Sequence, residues 1–198
     1  SDDAVREVFE QVWGRAIEAE PGLRIPNMFD AALAGTFRAM FVQGEDLAQS
    51  DPNTKHVMAA LGALDLLVVQ DLFLNGTAAF ADVFLPGTSF LEKDGTFTNA
   101  ERRINRVRPV MSTRTGRQEW EVACELATAM GYPMHYDDAS QIMDEIAKVT
   151  PTFAGVSFKH LDELGSIQWP CNDAAPDGTR FMHVGGFVRG KGRFVETP

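Results

Sequence analysis

With 198 residues, 44% of them hydrophobic, the chain can bury one sizeable core, or one core and a smaller lobe. A formal net charge of −10 and a pI near 4.8 argue against a nucleic-acid partner, since binding a phosphate backbone needs clustered lysine and arginine. No apolar run approaches the roughly 20 residues that span a bilayer, no secretory pattern opens the sequence, and two cysteines give no disulfide framework, so the expectation is a cytoplasmic protein.

Asp2 or Asp3 is placed to cap a first helix whose Val5, Val8, Phe9, Val12, Trp13 and Ala16 share one face, ended by Gly14 or by Glu20-Pro21-Gly22. Pro26 predicts the start of a second helix that stops at Gly35. Three nearly continuous apolar runs then each meet a polar loop: residues 37–43 run into Gly44-Glu45-Asp46, residues 64–69 into Gln70-Asp71, and residues 82–85 into Pro86-Gly87-Thr88. Runs that do not alternate are expected of parallel strands covered on both faces. Asp51 and Pro52 read as cap and first residue of a third helix, through Ala60, which makes a βαβ unit with the second run. A short helical turn is expected at residues 77–80. Open parallel sheets hold ligands beyond the carboxyl ends of their strands, so Asp46, Ser50, Gln70, Asp71, Gly87 and Thr88 can converge on one nucleotide-like molecule.

From about residue 90 the pattern changes. Gly95, Thr96, Thr98 and Asn99 read as a polar loop, and Arg102, Arg103, Arg106 and Arg108 follow as the only dense positive patch in an acidic chain, either a solvated strand or extended face or a ligand-lining segment. Helices are expected from Gln118 to Met130, with Trp120, Ala123, Cys124, Ala127 and Met130 inward, and from Asp138 to Val149, with Ile142, Met143, Ile146 and Val149 inward. Cys124 reads as a core thiol. Residues 151–165 suggest irregular structure and a short helix, and residues 181–184 with 193–195 suggest a hairpin or a linker. The fold class is therefore α/β: a partial Rossmann-like parallel sheet of about three strands with flanking helices over residues 1–100, then a mostly helical and irregular lobe over 101–198. His56, His135, His160 and His183 share no metal-ligand spacing with one another or with a cysteine, and no nucleophile elbow or phosphate-loop pattern occurs, so neither a metal site nor a catalytic residue is expected.

The wording of several segments adds to this. VQGED, the stretch from Val68 through Arg108 that holds VVQDLF, ADVFLP and GTFTNAERRINRVR, the run MGYPMHY from Met130, and IQWPC from Ile167 together resemble the large (alpha) subunit of molybdenum- or tungsten-dependent formate dehydrogenases. VVQD followed by Thr, Ala-Asp and Leu-Pro is similar to the whole bis-pterin molybdenum oxidoreductase family, and GTFTNAERR, YPMHY and QWPC narrow the resemblance to formate dehydrogenases.

That resemblance implies that the chain is an internal segment of a subunit several times longer. The cysteines of a four-iron four-sulfur (4Fe–4S) cluster, the Cys or selenocysteine on the metal, and the catalytic His would all lie outside it, since Cys124 and Cys171 are far apart. Alone, the segment is not expected to oxidise formate. It implies further that this lobe holds the guanosine end of one of two molybdopterin guanine dinucleotides, with Asp46, Ser50, Gln70, Gly87 and Glu119 as the matching binding residues, and that Arg102 and Arg103 line the cofactor cavity. Relatives can carry Thr at position 50 and Asp at position 119. For the parent enzyme the resemblance implies oxidation of formate to carbon dioxide, with electrons leaving through the cluster to an acceptor that can be NAD, reached through diaphorase-type iron–sulfur and flavin subunits. A sister enzyme such as a nitrate reductase, the respiratory-complex subunit that keeps this fold without molybdenum, and a free-standing interaction module are the competing readings.

Overall fold

The computed structural model describes residues 3–187, 190–192 and 194. The chain divides into two compact units, Ser1–Asp94 with Arg108–His135, and Gly95–Val107 with Tyr136–Pro198. No helix among the described residues is long and apolar enough to cross a membrane.

The first unit carries α1 (Asp3–Trp13), α2 (Ile25–Leu33), β1 (Ala39–Gln43), α3 (Leu47–Ser50), α4 (Thr54–Gly62), β2 (Leu66–Asp71), a 3-10 turn (Thr77–Phe80), β3 (Val83–Pro86) and α5 (Glu119–Ala129). The three strands form one parallel sheet in the order β1-β2-β3, as their unbroken apolar runs predict. Phe29 and Ala32 of α2 and Val57, Ala60 and Leu61 of α4 pack on Val42, Leu67 and Val69 of the sheet. Leu61, Leu67 and Val69 are almost wholly buried, a placement that contributes about 1.5–3 kcal/mol for each such side chain. Asp82 aligns β3 on β2 at the start, its Oδ2 accepting from Leu67 N–H at 2.7 Å while its own N–H donates to Leu67 O at 2.9 Å.

Two details of this unit differ from expectation. The chain after β1 forms two helices, because Leu47 and Ala48 are buried and start α3 at once, leaving Asp51 to end α3 and Asn53, at φ 62°, to precede α4. The expected apolar face of α1 forms a helical stripe, yet no residue of that helix is buried. Asp2, the other candidate cap, lies outside the described residues.

The second unit holds β4 (Gly95–Thr98), β5 (Arg103–Val107), α6 (Ala139–Val149), α7 (Phe158–Leu164) and β6 (Ser166–Gln168). Its sheet is antiparallel in the order β4-β5-β6; the strand reading of the arginine segment holds for β5, whereas β4 forms where a polar loop was expected and the sheet stands in a lobe expected to be mostly helical and irregular. Ile104, Leu161, Ile167 and Cys171 are fully buried in its core, with Met143 and Val156 nearly so. Arg106 runs along β5 with its guanidinium 3.5 Å from the Phe158 ring centroid, and it pairs with Asp162 at 3.3 Å, so one member of the arginine cluster is a packing residue. Asp138 caps α6 by accepting from Ser140 N–H at 2.8 Å.

The helices α5 and α6 lie where their periodicity placed them, but their faces are less buried than predicted. Cys124 is buried as expected, whereas Met130 is 79% exposed and Ile146 is 37% exposed. Met130 sits one residue beyond the last turn of α5, where the chain has already left the core. Residues 181–184 form bends and turns in place of a strand, and Arg193 and Val195, the other half of the expected hairpin, lie outside the described residues.

Candidate functional site

In the first unit the carboxyl ends of the three parallel strands lie side by side, with Gln43 paired in register to Gln70 and Gln70 to Leu85. Gln70 stands at the end of β2, the loops after β1 and β3 carry Asp46 and Gly87, and Glu119 joins them from the first residue of α5. Four of the sequence-predicted residues are thereby brought to one edge of the sheet.

Asp46 is held by the turn that follows β2. Its Oδ1 accepts from Thr77 N–H at 2.9 Å and from the Thr77 hydroxyl at 2.8 Å, and its Oδ2 accepts from Gly76 N–H at 3.3 Å and from Gln49 Nε2 at 2.5 Å. Thr77, with no exposure, also accepts from Ala48 N–H at 3.0 Å through its hydroxyl oxygen, so the β1 and β2 loops are tied together at one buried point. Burial opposes the charge on Asp46, but the bonds from Thr77, Gly76 and Gln49 outweigh it and hold the carboxyl below the usual aspartate range.

Glu119 does the same for the third loop. Its Oε1 accepts from Thr88 N–H and from Lys93 Nζ, both at 2.9 Å, and its Oε2 accepts from the Thr88 hydroxyl at 2.7 Å. Burial pushes this carboxyl up, and the Thr88 and Lys93 bonds more than offset it, leaving the group below the ordinary glutamate range. Gly87 donates its N–H to Asp71 O at 2.8 Å, and a Cβ built on it would stand 3.1 Å from the Asp71 carbonyl carbon and 3.3 Å from Glu119 Oε1. The close approach of these two loops therefore favours glycine there, since a Cβ would push its neighbours back by a few tenths of an ångström.

Gln70 is the buried polar residue of the edge. It is 2% exposed, its Oε1 accepts from Gln43 Nε2 at 3.2 Å, and its own Nε2 has no partner among the described residues. On the neighbouring α5, Trp120 Nε1 is the one fully enclosed side-chain polar atom without a hydrogen bond among the described residues. Ser50 is exposed and donates to Glu45 Oε1 at 2.5 Å, on the outer side of α3.

Arg102 and Arg103 belong to the second unit. Arg102 sits at φ 68° and donates to the carbonyls of Trp169, Thr179 and Arg180, so its charge serves the chain itself. Arg103 pairs with Glu101 at 3.0 Å, donates to Ser166 Oγ at 3.0 Å, and borders a cavity of about 300 Å³ whose wall includes Gln168, Asp177 and Arg180. Among the described residues no group of histidines, cysteines and carboxylates can hold a metal ion. Burial raises the thiol pKa of both Cys124 and Cys171.

Sequence reasoning missed Gln49, Thr77 and Lys93. Gln49 stands three residues after Asp46, a helical spacing that could have been read; Thr77 and Lys93 reach their partners only through the fold.

A parallel α/β lobe with polar residues at the carboxyl ends of its strands is an open sheet of the kind that can hold a ligand there. Comparison with known proteins gives the family: residues 7–129 match molybdopterin oxidoreductase, and the chain belongs to that family. It is 42% identical over 178 residues to the probable oxidoreductase YjgC of Bacillus subtilis, covering 89% of this chain and 18% of that protein. It is 40% identical to formate dehydrogenase H of Escherichia coli, covering 91% of this chain and 26% of that protein, and 39% identical to the F420-dependent formate dehydrogenase subunit alpha of Methanocaldococcus jannaschii, covering 94% and 28%. The chain thus spans between about a fifth and just over a quarter of the length of these curated relatives. Acetylene hydratase from Pelobacter acetylenicus shares the fold, with a TM-score of 0.61 at 22% identity over 91% of this chain and 27% of that one.

Proposed function

We propose that this chain is part of the catalytic subunit of a molybdenum- or tungsten-dependent formate dehydrogenase, and that it holds the guanosine end of a molybdopterin guanine dinucleotide at the carboxyl edge of its parallel sheet. Membership of the molybdopterin oxidoreductase family and identities near 40% to proteins named formate dehydrogenase support the reading. The observation that carries it is Gln70. A side chain with an unpartnered amide donor at 2% exposure, at the mouth of a parallel sheet, fits a ligand acceptor such as a ribose or phosphate oxygen. Gly87 lets backbone approach closely at the same edge.

Asp46 is the candidate base-reading carboxylate. All four lone-pair directions of its two oxygens are engaged, but the bond from Gln49 comes from an exposed side chain, so a ligand N–H can take its place on Oδ2. Guanine offers an N1–H and an exocyclic amine on one edge, whereas adenine presents an acceptor at N1. Glu119 already serves Thr88, Lys93 and its own backbone N–H, so it braces the third loop more than it offers an open acceptor. Ser50 faces outward with Glu45 and can reach a ribose or phosphate oxygen only by leaving that carboxylate. Arg103, at the cavity in its own unit, is the better of the two arginines for an anionic part of the cofactor, because Arg102 is engaged with three carbonyls.

The bound cofactor supplies the metal and the electron-accepting chemistry; this chain's residues bind and orient its nucleotide end. The catalytic His, the metal-ligating Cys or selenocysteine, the iron–sulfur cluster and the acceptor subunits belong to polypeptide outside these residues. Cytoplasmic placement is part of the same reading, supported by two unpaired thiols. The test is formate-dependent reduction of a viologen dye by the natural polypeptide purified with its metal. Formate oxidation is the expected result, and nitrate-dependent oxidation of the reduced dye with no formate activity would assign the chain to a sister enzyme.

A further inference from the structure

At the carboxyl edge of the parallel sheet, polar side chains satisfy one another. Three groups of the candidate site are bonded to exposed residues from the end of β1 and the stretch that follows it. Gln43 Nε2 donates to Gln70 Oε1 at 3.2 Å, Ser50 Oγ donates to Glu45 Oε1 at 2.5 Å, and Gln49 Nε2 donates to Asp46 Oδ2 at 2.5 Å. Only the last of these pairs covers the candidate base-reading carboxylate.

The surroundings of Asp46 make Gln49 its one movable partner. Oδ1 is fixed twice by Thr77, which is fully buried and whose N–H and hydroxyl stand 2.9 and 2.8 Å away. Gly76 backs the carboxylate: its N–H reaches Oδ2 at 3.3 Å, and a Cβ built on it would stand 3.3 Å from Oδ1 and 3.5 Å from Oδ2. The main chain of α3 is anchored as well, since the Asp46 carbonyl accepts from Gln49 N–H and Ser50 N–H, both at 2.9 Å. Gln49 alone brings its donor on a long, exposed side chain, which loses rotamer freedom while it is held. Its amide N–H is the same kind of donor that a guanine edge presents to a carboxylate. A base arriving at Oδ2 must displace that amide, and the displacement subtracts from its affinity.

We infer that Gln49 is a gate on the guanine-reading carboxylate: it caps Asp46 Oδ2 until the base arrives, then swings into solvent while Thr77 and Gly76 keep the carboxylate in place. The inference rests on the proposed guanosine site and adds to it a residue that sets how tightly the base is held.

Gln49→Met keeps the length of the side chain and removes the donor. Calorimetric titration of GMP into the full natural polypeptide freed of cofactor is expected to show binding about three- to fivefold tighter in Gln49→Met than in the parent, the range that an exposed contact to a charged group supports. Ribose 5-phosphate, which carries no base, should bind both proteins equally. GMP affinity unchanged or weakened in a folded Gln49→Met protein would overturn the inference and make Gln49 a brace. An equal gain for ribose 5-phosphate would overturn it too, by placing the effect away from the base. Crystal structures of the unsubstituted polypeptide with and without GMP read the gate directly should the variant fail to fold: a Gln49–Asp46 bond broken only with GMP supports the inference, and the same bond in both overturns it. A parent that binds GMP no more tightly than AMP is a separate result, which overturns the guanosine reading and the gate with it.

Discussion

Asp46 and Thr77 meet through two hydrogen bonds to one oxygen, the Thr77 N–H at 2.9 Å and its hydroxyl at 2.8 Å from Asp46 Oδ1. This contact joins the loop after β1 to the loop after β2 and braces the carboxyl edge of the sheet. Glu119 and Thr88 repeat the arrangement at the third loop. Bonded this way, the carboxylates shape the edge before any ligand arrives.

Thr77→Val keeps the side-chain shape and removes the hydroxyl. It leaves Ala48 N–H without its acceptor and Asp46 without one donor, both in buried or half-buried surroundings. The expected loss is about 1–3 kcal/mol of stability, read as a lower urea midpoint. An unchanged midpoint would show that the two loops are held by other contacts.

Glu119→Ala and Ser50→Ala separate bracing from surface chemistry. Glu119→Ala strands Thr88 N–H and Lys93 and is expected to cost about 1–3 kcal/mol. Ser50 is exposed and its bond to Glu45 lies in water, so Ser50→Ala is expected to stay within about 0.5 kcal/mol of the parent. Thermal melts of the pair check the contrast, and equal losses would contradict it.

Acid should loosen the carboxyl edge of the sheet. Asp46 and Glu119 both titrate below their ordinary values of 3.8 and 4.5 in the folded chain. The unfolded state therefore binds protons first as pH falls. Their contribution to stability is complete above those ordinary values and is lost as pH drops through the lower folded ones. Urea midpoints measured downward from about pH 6 should decline through that window. The decline should be shallower in Asp46→Asn, where one of the two groups no longer titrates.

The parallel sheet was legible because residues 66–69 and 83–85 are apolar without alternation, a pattern expected of strands covered on both faces. The same runs end in polar residues, which placed Asp46, Gln70 and Gly87 at one edge before their partners were known. The bracing was not legible, since Thr77 and Lys93 reach Asp46 and Glu119 across gaps in the sequence of 31 and 26 residues. The antiparallel sheet was missed for a related reason. Its central strand, Arg103–Val107, pairs with Ser166–Gln168, a three-residue strand far along the chain, and its outer strand carries Gly95, Thr96 and Thr98, which read as a loop. Met130 looked like a core residue by its three-residue spacing from Ala127, but helix α5 ends one residue before it.

The central claim is that this edge receives a guanine nucleotide. Calorimetric titration of GMP and AMP, at high protein concentration, into the folded polypeptide freed of cofactor tests it most directly, with Asp46→Asn as the comparison. GMP is expected to bind about tenfold or more tightly than AMP, and Asp46→Asn to reduce that preference, since an amide accepts on one side only and turns its own donor toward the base. Equal affinities for GMP and AMP, unchanged by Asp46→Asn in a protein shown to be folded, would contradict the account.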